Sequence, residues 1–287
     1  MIDFDFHTHT APQSNCAKQS IEELVKKAHS AGIKVLAVCN HDTLDGLSEV
    51  RAECNKYGIE FVNGIELTCN IVGESKKLDG AMLHILGLNI DNNAELFNSY
   101  LADIIVENEK RILNICGYLR GKGLNIDDCT ELRPLFTQMA EKNANVYPNF
   151  KRARKYIYSD EIELKFPTAR LSHRNAIELI HKLNGFAVWA HPTRVYMHEN
   201  FSIEEIAEVT DRLCVCGLDG LEAFHPDNLK EGAIPSLLSI AEVRNLEVTF
   251  GSDSHYVQDK DGYFPLNTEL DKFDYDFKKI KYFWKEQ

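Results

Sequence analysis

The sequence predicts an α/β fold of the barrel type, and three observations carry that expectation. Seven short apolar runs read as strands, helix-period segments lie between them, and each run meets a histidine or carboxylate at or just past its carboxyl end. A fold that gathers strand ends at one mouth would bring those residues together, as barrel enzymes do when they build an active site.

In chain order, the first run is Phe4-Asp5-Phe6-His7-Thr8-His9, followed by a helix over Ser20–Ala31 whose Ser20-Ile-Glu-Glu opening resembles a capping box. The second run, Val35 to His41, precedes a helix over Thr43–Tyr57, and the third is Phe61 to Glu66. The fourth, Met82-Leu83-His84-Ile85-Leu86, is the last before a break. From Asp91 to Pro167 no strand-like run occurs, only a long helical pattern over Ala94–Lys122 and then polar and basic segments. Alternation resumes with helix Ser172–Leu183, run Ala187 to His191, and helix Ser202–Cys216 with its repeated Ser-Ile-Glu-Glu opening. Run Leu221 to His225, helix Ile234–Arg244 and run Val248 to His255 complete it. Gly32, Gly58, Gly185, Gly217 and Asn245 stand where helices should stop. The division expected is a barrel domain from 1–90 and 168–287, with a helical insertion at 91–167 forming a lid or substrate subdomain.

Composition narrows the function. A formal charge of −12 argues against a broad nucleic-acid-binding surface, so a phosphate substrate needs a local positive site. Eight cysteines without a Cys-x-x-Cys pair suit buried free thiols in a reducing compartment. No apolar run reaches the ~18 residues of a membrane span, and the start lacks a leader-like pattern, so the expectation is a cytoplasmic protein with no membrane partner. Lys151-Arg152-Ala153-Arg154-Lys155 is open to two readings, a solvated helix face or a phosphate-facing edge of the insertion.

His7 and His9, two apart on a strand, present both imidazoles to one face and can share an ion; Asp253 and His255 repeat the spacing. Asp5, on the face of His7, and Asp42, beside His41, are candidates to accept a proton from a ligand imidazole and fix its tautomer.

The segments Asp5-Phe-His-Thr-His9-Thr, Asn40-His-Asp-Thr43, Gly64-Ile-Glu66, His84-Ile-Leu-Gly87, Ala190-His-Pro192 and Gly251-Ser-Asp-Ser-His255 resemble the polymerase and histidinol phosphatase (PHP) family of metal-dependent phosphoesterases. The resemblance implies a distorted (β/α)7 barrel of amidohydrolase-like kind, with two or three divalent ions of manganese, zinc or iron. It implies that His7, His9, Glu66 and Asp253 hold a first ion, His41 and His255 a second, and Glu66 with His84 and His191 a third. The chain departs at one place: where relatives carry a Ser-Asp-Gly aspartate, it reads Gln13-Ser14-Asn15-Cys16, with a possible one-residue length change. Asn15 is the expected stand-in, offering an amide oxygen without charge.

The reaction expected is hydrolysis by a metal-bridging hydroxide, with His225 and Asp253 as catalytic residues and His225 a candidate either to donate a proton to the leaving group or to contact substrate. Arg194, Arg170 and Arg174 are candidate phosphate clamps. His173, His181 and His198 read as ordinary helix or loop residues. The substrate expected is small and phosphorylated: a nucleotide, a nucleoside 3′,5′-bisphosphate or the 5′ end of a short oligonucleotide. Histidinol phosphate is the nearest alternative, although Asp42 beside His41 tilts against it. A non-catalytic nucleotide-binding module is the reading from another class, and an amidohydrolase acting on a cyclic amide is a third.

Overall fold

Residues 2–14, 16–72, 80–194, 201–256, 273 and 275–280 are described in the computed structural model of the chain. Asn15 and His198 therefore lie outside the described residues.

Among the described residues, eight strands form one sheet: β1 (Phe4–Asp5), β2 (Val35–Val38), β3 (Glu60–Asn70), β4 (Met82–Leu88), β5 (Leu171–Ser172), β6 (Phe186–Trp189), β7 (Gly220–Phe224) and β8 (Glu247–Phe250). Seven of them are ordered β1-β2-β3-β4-β6-β7-β8, and the two-residue β5, which has no run of its own in the sequence, pairs with the far end of β3. The path closes into a barrel where Phe6 N–H donates to Phe250 O (3.1 Å), Asp253 N–H to His7 O (2.7 Å) and His9 N–H to Ser254 O (2.9 Å). The seven-stave α/β barrel expected from the sequence is the fold observed.

One stave corrects the sequence reading. β4 runs antiparallel to both β3 and β6, while the other neighbours on the path are parallel. His84 thus sits near the beginning of its strand, not at the carboxyl end. Reversal of β4 puts that beginning beside the carboxyl ends of its neighbours, so His84 still reaches the mouth.

Helices α1 (Ile21–Ser30), α2 (Leu47–Lys56), α7 (His173–Lys182), α8 (Ile203–Val215), the short α9 (Pro226–Lys230) and α10 (Ile234–Val243) belong to the barrel unit. Both repeated openings are capping boxes: Ser20 and Ser202 accept from Glu23 N–H and Glu205 N–H, and each glutamate accepts the serine N–H in return. α2 starts four residues later than its pattern suggests, because Asp42 to Gly46 forms a turn with Asp42 and Gly46 at positive φ. At the end of α7 the left-handed residue is Asn184 (φ 57°), not Gly185. Gly185 serves close approach instead: a Cβ there would collide with Ile90 and come within 3.0 Å of Leu88 O.

The chain divides into two compact units, residues 1–96 with 171–287, and residues 97–170. The second is helical and holds most of α3 (Ala94–Gly121), then α4 (Leu132–Lys142), α5 (Phe150–Ile157) and α6 (Asp160–Lys165). It has its own core of Ile115, Leu119, Leu135, Phe136, Met139 and Ile157. A buried Arg111–Glu163 pair (2.7 Å) is completed by Arg111 Nε donating to Phe166 O and by Thr168 Oγ1 donating to Glu163. The four cations of 151–155 lie exposed on α5 around the buried Ala153. Among the described residues, no helix is long and apolar enough to cross a membrane.

Candidate metal centre

Period-two alternation turns Asp5, His7 and His9 to the barrel interior while Phe4 and Phe6 stack on its other side with ring centroids 5.2 Å apart. The interior is therefore polar at the mouth, and its buried groups need partners. Glu66, 1% exposed, is the point on which they converge. Its Oε2 lies 3.3 Å from His7 Nε2, 3.2 Å from His9 Nε2 and 3.3 Å from His41 Nε2. Its Oε1 lies 2.6 Å from His84 Nδ1 and 3.1 Å from His191 Nε2. Asp253 Oδ1 adds a second carboxylate oxygen 3.0 Å from His9 Nε2 and 3.5 Å from His7 Nε2.

Such crowding fits a cation. His7 Nε2 and His9 Nε2 stand only 3.2 Å apart, and Glu66 Oε2 is buried yet accepts no hydrogen bond among the described residues. Within each of the sets His7–His9–Glu66–Asp253, His41–Glu66–His84 and His9–Cys16–His41–His255, the potential ligand atoms lie within 4.8 Å of one another. Imidazole with carboxylate suits zinc, manganese or iron(II).

Electrostatics agree. Burial alone would raise the Glu66 carboxyl, but the imidazoles of His41, His84 and His7 hold it well below the usual carboxylate range. Asp253 is held down in the same way, against burial, by His7, His225 and His9. Burial would lower His7, yet Glu222, Glu66 and Asp253 outweigh it and raise it well above its ordinary value. Burial prevails at His41, lowered to about 3, and at His191, so both rings are neutral and able to ligate near neutral pH.

The carboxylate that orients His7 is not Asp5. His7 Nδ1 donates to Glu222 Oε1 (3.0 Å), while Glu222 Oε2 accepts His191 N–H (2.8 Å). With that proton held on Nδ1, Nε2 is the nitrogen that would turn to a metal on giving up its own proton. Asp5 instead accepts His7 N–H, Ser252 N–H and the Ser252 hydroxyl, tying β1 to the β8 end. Asp42 likewise accepts Thr68 N–H (2.8 Å), and His41 Nδ1 has no hydrogen-bond partner among the described residues. Gly251 makes room for the pair: a Cβ there would strike both Glu222 Oε1 and the Cβ of His7.

His225, 2% exposed, caps α9 by accepting Asp227 N–H on Nδ1 (3.1 Å), so a neutral ring carries its proton on Nε2, 3.8 Å from Asp253 Oδ2. Arg194 Nη1 is 3.4 Å from Asp253 Oδ2 and 3.6 Å from Asp227 Oδ2, an exposed guanidinium at the rim. Arg170 belongs to the helical unit, near Thr168 O and Glu163. Arg174 is exposed in the first turn of α7 and acts electrostatically on His173 and Cys216. His173 Nδ1 accepts Val72 N–H and His181 pairs with Asp219, both outside the cluster. His255 Nδ1 donates to Asp253 O (2.6 Å), and its Nε2 faces Cys16 Sγ at 3.0 Å. Sequence reasoning missed two residues here. Glu222 was signalled by a charge inside an apolar run, and Cys16 by the length ambiguity beside Asn15.

Comparison with known proteins accords with this geometry. The PHP domain profile matches residues 5–217. A 5′-3′ exoribonuclease of Haemophilus influenzae is 26% identical over 94% of this chain and 95% of its own length. A phosphoribosyl 1,2-cyclic phosphate 1,2-diphosphodiesterase of Eggerthella lenta is 25% identical, covering 88% and 93%. A solved structure from Bifidobacterium adolescentis, assigned as a metal-dependent phosphoesterase, superposes with a TM-score of 0.67 at 24% identity over 94% and 96% of the two chains, and so shares the fold. Barrel, mouth and relatives define the class, a metal-dependent phosphoric ester hydrolase. Within it, the chain belongs to the PHP domain family.

Proposed function

We propose that the chain hydrolyses phosphate esters carried on ribose, in nucleotides, nucleoside 3′,5′-bisphosphates or the 5′ end of short oligonucleotides. Two or three divalent ions of manganese, zinc or iron would serve the reaction. The observation that carries the reading is the division of Glu66, with Oε2 among His7, His9 and His41 and Oε1 between His84 and His191. His7, His9, Glu66 and Asp253 would hold one ion, His41 and His255 would contribute to a second, and Glu66, His84 and His191 to a third. Bound there, such ions polarise phosphoryl oxygens and bring the ionisation of water toward neutral pH.

The remaining work falls to side chains. Arg194, at the rim beside Asp253, offers paired N–H donors to a phosphate oxygen, and Asp227 and Asp253 hold it in place until substrate arrives. His225 Nε2–H, its tautomer set by the Asp227 N–H at the other nitrogen, donates a hydrogen bond to the leaving oxygen and stabilises the charge that develops there. Glu222 keeps the His7 ring and the His191 backbone in register with Glu66. Arg174, in the barrel unit, remains a candidate for another phosphate or substrate oxygen. The activities for which the two relatives are named, on RNA and on a phosphoribosyl cyclic phosphate, support an ester borne on ribose.

The test is product release by the chelator-stripped chain reloaded with manganese, zinc or iron(II). The substrates are p-nitrophenyl phosphate, AMP, adenosine 3′,5′-bisphosphate, histidinol phosphate and a 5′-phosphorylated oligoribonucleotide. Turnover of the ribose-borne esters is expected, and Glu66→Ala should reduce it at least about a hundredfold, a loss of ~3 kcal/mol of transition-state stabilisation. Nucleotide binding without release under every metal would sink the enzymatic reading. Preference for histidinol phosphate would overturn the substrate class alone.

A further inference from the structure

The loop after β1 places a thiol where the family resemblance calls for a carboxylate. The loop is pinned at both ends: Ala11 N–H donates to Gln19 O (2.8 Å) and Lys18 N–H to His255 O (2.9 Å). Gln19 Nε2 donates to His9 O (2.9 Å) and Ser254 O (2.8 Å), and Gln19 is buried. These bonds fix Cys16 against the end of β8. Its Sγ lies 3.0 Å from His255 Nε2 and 3.1 Å from the Ser14 hydroxyl. Because His255 Nδ1 donates to Asp253 O, the nitrogen facing the sulfur carries a lone pair. The potential ligand atoms of His9, Cys16, His41 and His255 all lie within 4.8 Å of one another. His9 is fully buried, and neither its Nδ1 nor that of His41 has a hydrogen-bond partner among the described residues.

We infer that Cys16 is a thiolate ligand of the second metal position, beside His41 and His255, and that the sulfur selects zinc, cobalt or iron(II) there over manganese and magnesium. The inference rests on the reading of the mouth as a metal centre. This set contains no carboxylate, whereas His7, His9, Glu66 and Asp253 offer two, so the neighbouring positions differ in softness. On binding, the thiol gives its proton to solvent as the sulfur–metal bond forms. The Ser14 hydroxyl can donate to the thiolate and steady it.

Cobalt(II) titration of the metal-free chain, without oxygen or added thiol, reads the bond directly. A near-ultraviolet sulfur-to-cobalt charge-transfer band is expected, lost in Cys16→Ser and retained in Cys39→Ser, whose buried thiol lies outside the set. Cys16→Asp should lose the band yet gain manganese at the second position, counted by elemental analysis. Should the variants fail to fold, alkylation of the wild-type chain decides: zinc should shield Cys16 from iodoacetamide and manganese should not. Absence of the band, its persistence in Cys16→Ser, or equal alkylation with and without zinc overturns the inference. None of these readouts uses turnover. A band without phosphate release would sink the proposed function and leave Cys16 as ligand, and release without a band would do the reverse.

Discussion

Glu222 Oε1 accepts the Nδ1 proton of His7 at 3.0 Å, although 215 residues separate the two in the chain. With its other oxygen on His191 N–H, Glu222 is fully committed. Glu222→Gln must turn an amide N–H toward one of these donors. It should weaken metal binding 10- to 100-fold by analogy with other carboxylate–imidazole pairs, read by competition with a calibrated chelator. Unchanged affinity would show that the His7 ring is oriented by something else.

His225 should matter in proportion to the negative charge that builds on the leaving oxygen. For an alkyl ester such as a nucleoside monophosphate, His225→Gln is expected to lower kcat by about 10²- to 10⁴-fold. p-Nitrophenyl phosphate, whose leaving oxygen is a good one unprotonated, should lose far less. Equal losses on both substrates would count against a hydrogen bond from His225 to the leaving oxygen.

Burial pushes the Asp5 carboxyl from its ordinary value near 3.8 up to about 6, against the opposing hydrogen bonds of Ser252 and His7. A group raised in the folded state contributes stability that is complete below its unfolded value and lost as pH climbs through the folded one. In the metal-free protein, the wild type should therefore lose stability relative to Asp5→Asn between about pH 4 and 7, by on the order of 2–3 kcal/mol. Urea unfolding at both pH values, in chelator, checks the sign. A difference between the proteins that does not change with pH would refute it.

Gly251 touches the Glu222–His7 pair where no side chain fits. Gly251→Ala should cost about 1–3 kcal/mol in thermal or urea unfolding and weaken metal binding together with it. A variant as stable and as metal-competent as the wild type would mean that the barrel interior yields more easily than its packing suggests.

Much of this was legible in the sequence because it is local. Period-two runs marked the staves, and Ser20 and Ser202 marked two helix starts through contacts three residues long. What escaped was relational. An apolar run around His84 announces a strand but not its direction, which is set by pairing with β3 and β6. Asp5 was the nearer carboxylate to His7 along the chain, yet the barrel turns it to backbone amides and brings Glu222 from another stave. Cys16 read as one more buried thiol because its partner His255 lies 239 residues away.

The two oxygens of Glu66 face different imidazole groups, and one rigid carboxylate cannot be adjusted for either group alone. An ion at one pole would fix the plane that an ion at the other must use, which would make their loading a linked equilibrium. By thermodynamic reciprocity, any factor by which the first ion tightens the second is the factor by which the second tightens the first. Ions at the two poles would then load as a coupled pair rather than as independent sites.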